Sequence, residues 1–198
     1  MPADRKDKPV VLSRIYTRTG DGGSTALGDG SRVGKNDPRL VAYADVDEAN
    51  CAIGAALALG QLGQPVVTLL TRIQNELFDV GADLCNPISA DPKYPPLRVA
   101  ESYVADLERA CDEHNAELST LRSFVLPGGT PGAALLHIAR TVVRRAERSA
   151  WLALQAHPDT TNPVTAKYLN RLSDLLFILA RAANAERGDV LWRPGGER

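Results

Sequence analysis

The chain has 198 residues, of which 44% are hydrophobic, and its charges nearly balance, with 23 Lys and Arg against 24 Asp and Glu. This length allows one domain with its own core, and the charge balance excludes a strong overall attraction to nucleic acid or anionic lipid. The three cysteines, Cys51, Cys85 and Cys111, form no CxxC pair, which argues against a disulfide framework or a zinc site.

The N-terminal residues 1–12 carry charges throughout and lack the apolar core of a signal peptide. The longest later apolar stretch, 52–59, is too short to span a bilayer. We therefore expect a cytoplasmic protein with no membrane partner. We also expect residues 1–14 to form a tail, 15–187 a single helical-bundle domain and 188–198 a second tail.

A stretch rich in Gly, Ser, Thr and Asp runs from Thr17 to Asn36. It shows neither helical nor strand periodicity and is too polar to contribute much to a core, so it is an ordered binding loop or a flexible arm. Successive N–H groups of a Gly-rich turn can bind an anion, and the Thr and Ser hydroxyls add donors. The stretch lacks the GxxxxGK[ST] pattern of a P-loop, and Lys35 is its nearest lysine.

Five helical patterns follow this loop, and no strand alternates with them. The first runs from the N-cap Asp37 to about Leu59, the second from about Pro65 to Leu84, and the third from Leu97 to about Leu118 with Leu97 and Ala100 facing inward. The fourth follows an extended linker that ends at Thr130 and runs to about Gln155, and the fifth runs from the cap Asn162 to about Arg187. The pattern predicts an all-α, five-helix bundle preceded by an extended Gly/Thr-rich loop. A ferritin-like di-iron centre is disfavoured, because no His has a Glu three residues before it.

The fourth helix carries the strongest chemical signal. At about 100° per residue, Arg140, Arg144, Glu147 and Arg148 fall on one arc. Like charges four residues apart repel, so these guanidinium groups need acidic partners, solvent or an anion, and they suit phosphate. The competing explanation is a solvated face with Glu147 as partner.

A polar arc of the fifth helix contains Asn170 and Phe177. A ring set among polar groups is typical of a ligand wall, although a lone Phe is more often part of a core or an interface. On the first helix, Asp47 lies on a stripe of small residues, where its carboxylate would be partly buried and would need a cation. Arg140 is the candidate for that cation.

Seven features occur in chain order: YTRTGDGGST, Lys35, YADVDEANCAIG, RIQNELFDVGADL, FVLPGGT, ARTVVRRAER and YLNRLSDLLFILAR. They extend from Ile15 to Asn184, nearly the whole chain. In this order and combination they resemble the signatures of the PduO-type ATP:cobalamin adenosyltransferase family, and the combination is far more specific than any one motif.

The resemblance implies a homotrimer that binds ATP, Mg²⁺ and cobalamin, with ATP between neighbouring subunits. It implies an interface salt bridge between Asp47 and Arg140, a ring of Phe124 that covers the lower face of the corrin, and Phe177 nearby. The implied ATP site comprises Thr17, Arg18, Thr19, Gly20, Asp21, Gly22, Gly23, Ser24, Thr25, Lys35, Arg144, Arg145, Glu147, Arg148 and Asn170. It implies no particular metal ligands.

The implied activity is transfer of the 5′-deoxyadenosyl group of ATP to the cobalt of reduced cobalamin, with release of triphosphate. Asp47, Arg140 and Arg144 would be the residues that support catalysis, and Phe124 would favour a four-coordinate cobalt(II) that is easier to reduce. The product would pass to a cobalamin-dependent enzyme. The alternative is a non-catalytic module of the same fold that hands over nucleotide or cobalamin. Some members carry an aromatic residue beyond the last helix, where this chain has Trp192 and no matching Phe.

Overall fold

The computed structural model describes residues 16–92 and 95–197, and the predicted N-terminal tail lies outside them. Within these residues the chain forms five α-helices and one two-stranded antiparallel hairpin. The elements are β1 Ser24–Ala26, β2 Arg32–Gly34, α1 Pro38–Leu59, α2 Gln64–Cys85, α3 Glu101–Asn115, α4 Pro131–Ala156 and α5 Val164–Ala182, followed by a short 3₁₀ turn, Gly195–Glu197. The predicted all-α bundle is confirmed.

Helix α1 begins at its predicted cap, α5 begins one residue later than its predicted cap implies, and α4 has a cap that the sequence analysis did not identify. The Asp37 carboxylate accepts the N–H of Arg39 at 2.9 Å at the start of α1. Thr130 caps α4 by accepting the N–H of Ala133. The side-chain oxygen of Asn162 accepts the N–H of Val164 at the start of α5. In each case the cap satisfies a donor that the first helical turn leaves without a partner.

The predicted start of α3 is wrong by four residues. Asp83, which is 1% exposed, accepts the N–H of Val99 at 2.7 Å and pairs with the guanidinium of Arg98. These contacts hold the chain extended ahead of the helix. Leu97 and Ala100, expected to face inward, are exposed.

The predicted end of α5 is also too late, because the helix stops at Ala182 and the chain continues in turns. The buried side chain of Asn184 donates to the carbonyl of Gly128 and accepts the N–H of Thr130. This amide fixes the chain after α5 against the residues that lead into α4.

The Gly-rich stretch is an ordered loop with a hairpin, so the prediction that it contains no strand is wrong. Strand β1 pairs with β2 in the register Ser24↔Gly34, Thr25↔Val33, Ala26↔Arg32. The side chain of Leu27 is buried, and the N–H of Gly28 donates to the carbonyl of Cys85 at 2.9 Å. These two contacts dock the hairpin on the end of α2.

The bundle core lies between packed helices, in which α1 contacts α2 and α4, and α5 contacts α3, α4 and, less extensively, α2. Helices α1 and α4 run antiparallel in a register that three contacts define: Asp37 with His157 at 3.1 Å, Asp45 with Ser149 at 2.6 Å, and Gly60 beside Gly132. Residues that fill the core include Ile53, Leu70, Ile73, Leu77, Leu107, Leu136, Tyr168, Leu169, Leu172 and Leu175. None of the helices in residues 16–92 and 95–197 could span a membrane.

Removing the α1 cap gives a test of the bundle. Asp37→Ala should lower the free energy of unfolding by about 1–2 kcal/mol, because the Arg39 N–H loses its acceptor and His157 loses its partner. Urea denaturation measures this difference. Asp91→Ala, in an exposed loop, is the control. Equal values for both variants would contradict the cap's role.

Candidate active site

The polar face of α4 presents two guanidinium groups to solvent. Arg144 and Arg148 are exposed, and within residues 16–92 and 95–197 neither forms an ion pair with a carboxylate. The side chain of Glu147 accepts a hydrogen bond from Asn170 of α5 at 3.2 Å instead. Glu147 therefore does not neutralise its arginine neighbours in this arrangement, and both cations are available to an anion.

Arg145 points to a different part of the chain. Its guanidinium pairs with Glu48 and lies 3.9 Å from the carboxylate of Asp45, both on α1. The hydrogen bond with Glu48 raises the pKa of Arg145 above its ordinary value. The structure therefore places this predicted nucleotide ligand at the α1–α4 contact, where it already has acidic partners.

The N-terminal loop brings several predicted ligands together. The backbone turns at Gly20–Gly23, where the N–H of Gly23 donates to the carbonyl of Gly20 and Gly23 has a φ of +79°. The ammonium of Lys35 lies over this turn, because a Cβ added at Gly20 would stand 3.1 Å from its Nζ. The loop thus combines one cation with a tight Gly-rich turn, an arrangement suited to phosphate.

Arg32 organises the same loop and was missed in the sequence, where it is one basic residue in a polar stretch. Its guanidinium donates to the carbonyl of Thr19 at 3.0 Å and to the hydroxyl of Ser24 at 2.7 Å. The hydroxyls of Thr17 and Thr19 are 2.9 Å apart.

The other loop residues predicted to bind ATP have no common partner. Arg18 lies over the Tyr16 ring, Asp21 and Gly22 are exposed, and Thr25 belongs to β1.

The loop and the α4 face are two separate groups in one chain. Across the described ranges, no hydrogen bond or ion pair joins residues 17–25 to α4 or α5. The loop instead contacts its own β2 strand and the end of α2. Among the described residues of one chain, the two groups therefore make no direct polar contact.

Asp47 and Arg140 also do not meet within the chain. Asp47 is exposed rather than partly buried, whereas the Nε of Arg140 is buried and has no hydrogen-bond partner among the described residues. The antiparallel register of α1 and α4 puts Arg140 level with residues 52–54, about 8–10 Å along the helix axis from Asp47. Among the described residues the two side chains therefore form no salt bridge.

Phe177 lies between two basic side chains. Its ring centroid is 5.9 Å from the Arg140 guanidinium carbon and 6.1 Å from the ring of His137, which it meets edge to face. Burial, and then the charge of Arg144, lowers the pKa of Arg140, although a guanidinium remains charged at neutral pH. Phe177 is thus half-buried and contacts a cation, and its place in a ligand wall stays a prediction.

His137 is a buried residue that sequence reasoning missed as part of this cluster. It is 3% exposed, and neither ring nitrogen has a hydrogen-bond partner in the described part of the chain. Burial, and then the charge of Arg140, lowers its pKa, so the ring is held neutral. The signal in the sequence is its position three residues before Arg140, a spacing that places two side chains next to each other on a helix.

Phe124 is the most exposed aromatic residue near the C-terminal segment. Its side chain is 79% exposed, and its ring meets Trp192 edge to face with centroids 6.2 Å apart. A cavity of about 1160 Å³ beside it is lined by Arg122, Ser123, Leu126 and residues 189–194. This region offers an aromatic surface and the space for a large flat ligand.

The fold and the two clusters define a helical bundle whose surface collects guanidinium and ammonium groups for a phosphate-bearing ligand. The chain belongs to the cobalamin adenosyltransferase family, since the model of that family matches residues 15–183.

Relatives and solved structures agree with this assignment. A corrinoid adenosyltransferase of Mycobacterium tuberculosis is 66% identical over 189 residues, covering 96% of this chain and 97% of the relative. The corrinoid adenosyltransferase PduO of Salmonella typhimurium is 41% identical over 172 residues, and the aligned region covers 87% of this chain and 50% of the Salmonella protein. A variant PduO-type ATP:corrinoid adenosyltransferase from Lactobacillus reuteri, solved with cobalamin and ATP, superimposes with a TM-score of 0.83 at 35% identity, covering 91% and 100% of the two chains.

Proposed function

We propose that this chain transfers the 5′-deoxyadenosyl group of ATP to the cobalt of reduced cobalamin and releases triphosphate. The observation that carries the proposal is the pair of exposed guanidinium groups, Arg144 and Arg148, beside the Glu147–Asn170 hydrogen bond. Guanidinium groups bind phosphate oxygens through charge-assisted hydrogen bonds, and Glu147 and Asn170 offer polar partners to a ribose.

The chemistry explains why the chain needs no nucleophile of its own. Cobalt(I) supplies the electron pair that forms the cobalt–carbon bond at C5′, and the C5′–oxygen bond breaks as triphosphate leaves with its electrons. The protein has to align the two substrates, exclude water and stabilise the charge that grows on the leaving group. Arg144, Arg148 and Lys35 would perform the last task.

Mg²⁺ would enter this site with the nucleotide. Among the described residues, no group of three or more His, Cys, Asp or Glu side chains could hold a metal ion. The triphosphate itself supplies the oxygen ligands that Mg²⁺ prefers. The metal would therefore be held by the triphosphate rather than by a set of protein side chains.

The active unit would be a homotrimer in which the loop of one chain faces α4 and α5 of its neighbour. Two observations support this arrangement: among the described residues of one chain the loop makes no polar contact with α4, and Asp47 and Arg140 do not pair. The catalytic domain would extend over residues 15–187. The protein would work in the cytoplasm and deliver its product to a cobalamin-dependent enzyme.

A direct assay tests the proposed function. Purified protein is mixed with MgATP and chemically reduced cobalamin, and the change in corrin absorbance is followed together with triphosphate release. Adenosylcobalamin should form over many turnovers, with one triphosphate for each product. Binding of both ligands without turnover would instead identify a non-catalytic handover module of the same fold.

Phe124→Ala tests the assignment of the corrin face. The variant should bind ATP normally but adenosylate roughly tenfold more slowly from cobalt(II), because it lacks the apolar ring that excludes a lower axial ligand. The absorbance or electron paramagnetic resonance of four-coordinate cobalt(II), recorded with ATP present, is the measurement. Leu97→Ala, which removes an exposed apolar side chain ahead of α3, is the control. A full four-coordinate signal in Phe124→Ala would contradict the role.

A further inference from the structure

Residues 189–192, here called the C-terminal strap, pair with the segment that carries Phe124. The N–H of Trp192 donates to the carbonyl of Phe124 at 2.7 Å, and the N–H of Leu126 donates to the carbonyl of Val190 at 2.8 Å. Between these bonds Val125 and Leu191 form an antiparallel bridge. The strap therefore fixes the backbone on both sides of Val125, including the residue that bears the Phe124 ring.

A buried guanidinium fastens the strap to the bundle. Arg181 of α5 is 6% exposed, and its Nε donates to the Asp189 carboxylate at 2.7 Å. Its Nη2 donates to the carbonyl of Ser119, in the connection between α3 and α4, also at 2.7 Å. Because a buried cation that loses its carboxylate is strongly destabilised, this contact keeps the strap in place.

Trp192 supplies an aromatic contact to a ring that is otherwise open to solvent. Phe124 is 79% exposed, so little packing selects among its side-chain rotamers. The Trp192 indole meets this ring at an interplanar angle of 65°, a favourable edge-to-face arrangement. A further hydrogen bond, from the Ser123 hydroxyl to the carbonyl of Trp192 at 2.9 Å, holds the end of the strap.

We propose that Trp192 is a positioning residue that holds the Phe124 ring in the orientation that shields the lower face of the corrin. The inference rests on the proposed function and extends it to a residue outside the helices. Trp192 acts through Phe124, and the backbone pairing of the strap and the Arg181–Asp189 ion pair hold Trp192 in position. Loss of the indole should leave nucleotide binding intact, because the strap carries none of the ATP residues.

The test uses the full chain with cobalt(II) cobalamin and saturating MgATP. Trp192→Ala should lower the ratio of four-coordinate to five-coordinate cobalt(II) roughly two- to tenfold, the effect of losing one aromatic edge-to-face contact. The affinities for ATP and for cobalamin should match those of the wild type. Trp192→Phe, which keeps a ring at this position, should restore most of the four-coordinate signal.

The controls separate this inference from the proposed function. Leu97→Ala removes an apolar side chain of similar exposure, 47% against 43% for Trp192, and should behave as the wild type. Thermal melts confirm that each variant is folded. If the wild type adenosylates cobalamin while Trp192→Ala gives an unchanged cobalt(II) spectrum, the positioning role is refuted and the proposed function stands. A loss of cobalamin affinity as large as the spectral loss would also refute it, in favour of direct corrin binding by Trp192.

Discussion

Arg144→Ala is expected to weaken ATP binding and turnover together while the protein remains folded. Arg144 is exposed on α4, and no carboxylate among the described residues depends on it, so its removal leaves no buried charge behind. A charge-assisted hydrogen bond to phosphate contributes about 1.5–3 kcal/mol, which predicts a fall of roughly 10- to 150-fold in kcat/KM for ATP. Steady-state kinetics with reduced cobalamin in excess measure the change.

Arg109→Ala provides the matched control for Arg144→Ala. Arg109 is also an exposed helical arginine, but it lies on α3, and its one ion pair among the described residues is with Asp106 of its own helix. Its removal should leave the kinetics unchanged. Equal kinetic constants for Arg144→Ala and Arg109→Ala would exclude Arg144 as a phosphate ligand.

Asp47→Ala is expected to weaken the proposed trimer. Arg140 is half-buried and forms no ion pair with a carboxylate among the described residues, and in the proposed trimer a carboxylate of the partner subunit would supply one. Removal of one partner from a buried ion pair costs about 3–5 kcal/mol. The variant assembly should therefore dissociate at a much higher protein concentration than the wild-type assembly does. Light scattering over a concentration series measures it. Asp106→Ala, which removes an exposed carboxylate, should not change assembly.

A mixed trimer tests the shared site more directly. One inactive variant is altered in the loop at Thr19 and the other at Arg144, and the two are unfolded and refolded together. If loop and helix come from different chains, some interfaces combine two intact halves, and activity partly returns. A fully active monomer, or no recovery in verified mixed trimers, would refute the arrangement.

The parts of the fold that could be predicted from sequence depend on contacts close in the chain. Helix α1 begins directly after its cap Asp37, as predicted, because the cap and the N–H that it accepts are two residues apart. The start of α3 was wrong because Asp83, 16 residues before Val99, holds the chain extended. No periodicity in residues 97–118 contains that information.

The candidate site shows the same limit. The α4 arc was predictable because helical spacing alone places Arg144 and Arg148 on one face. The choice of Glu48 as partner for Arg145 was not, because it depends on the register between α1 and α4. The pairing of the C-terminal strap could not be predicted either. It joins Phe124 to Trp192, 68 positions later, and no sequence periodicity relates two residues that far apart.

The attachment of the N-terminal hairpin has a consequence for the timing of nucleotide exchange. The hairpin is held to the end of α2 by the bond between Gly28 and Cys85 and by the buried Leu27 side chain, whereas Arg144 lies on a helix packed along its length. Segments with few buried contacts open locally at a small fraction of the global unfolding free energy. We infer that the helix contributes preorganised ligands and the hairpin contributes adaptable ones, whose conformational entropy falls when the nucleotide binds. Opening of the hairpin, rather than any movement of α4, would then set the rate at which the nucleotide enters and triphosphate leaves.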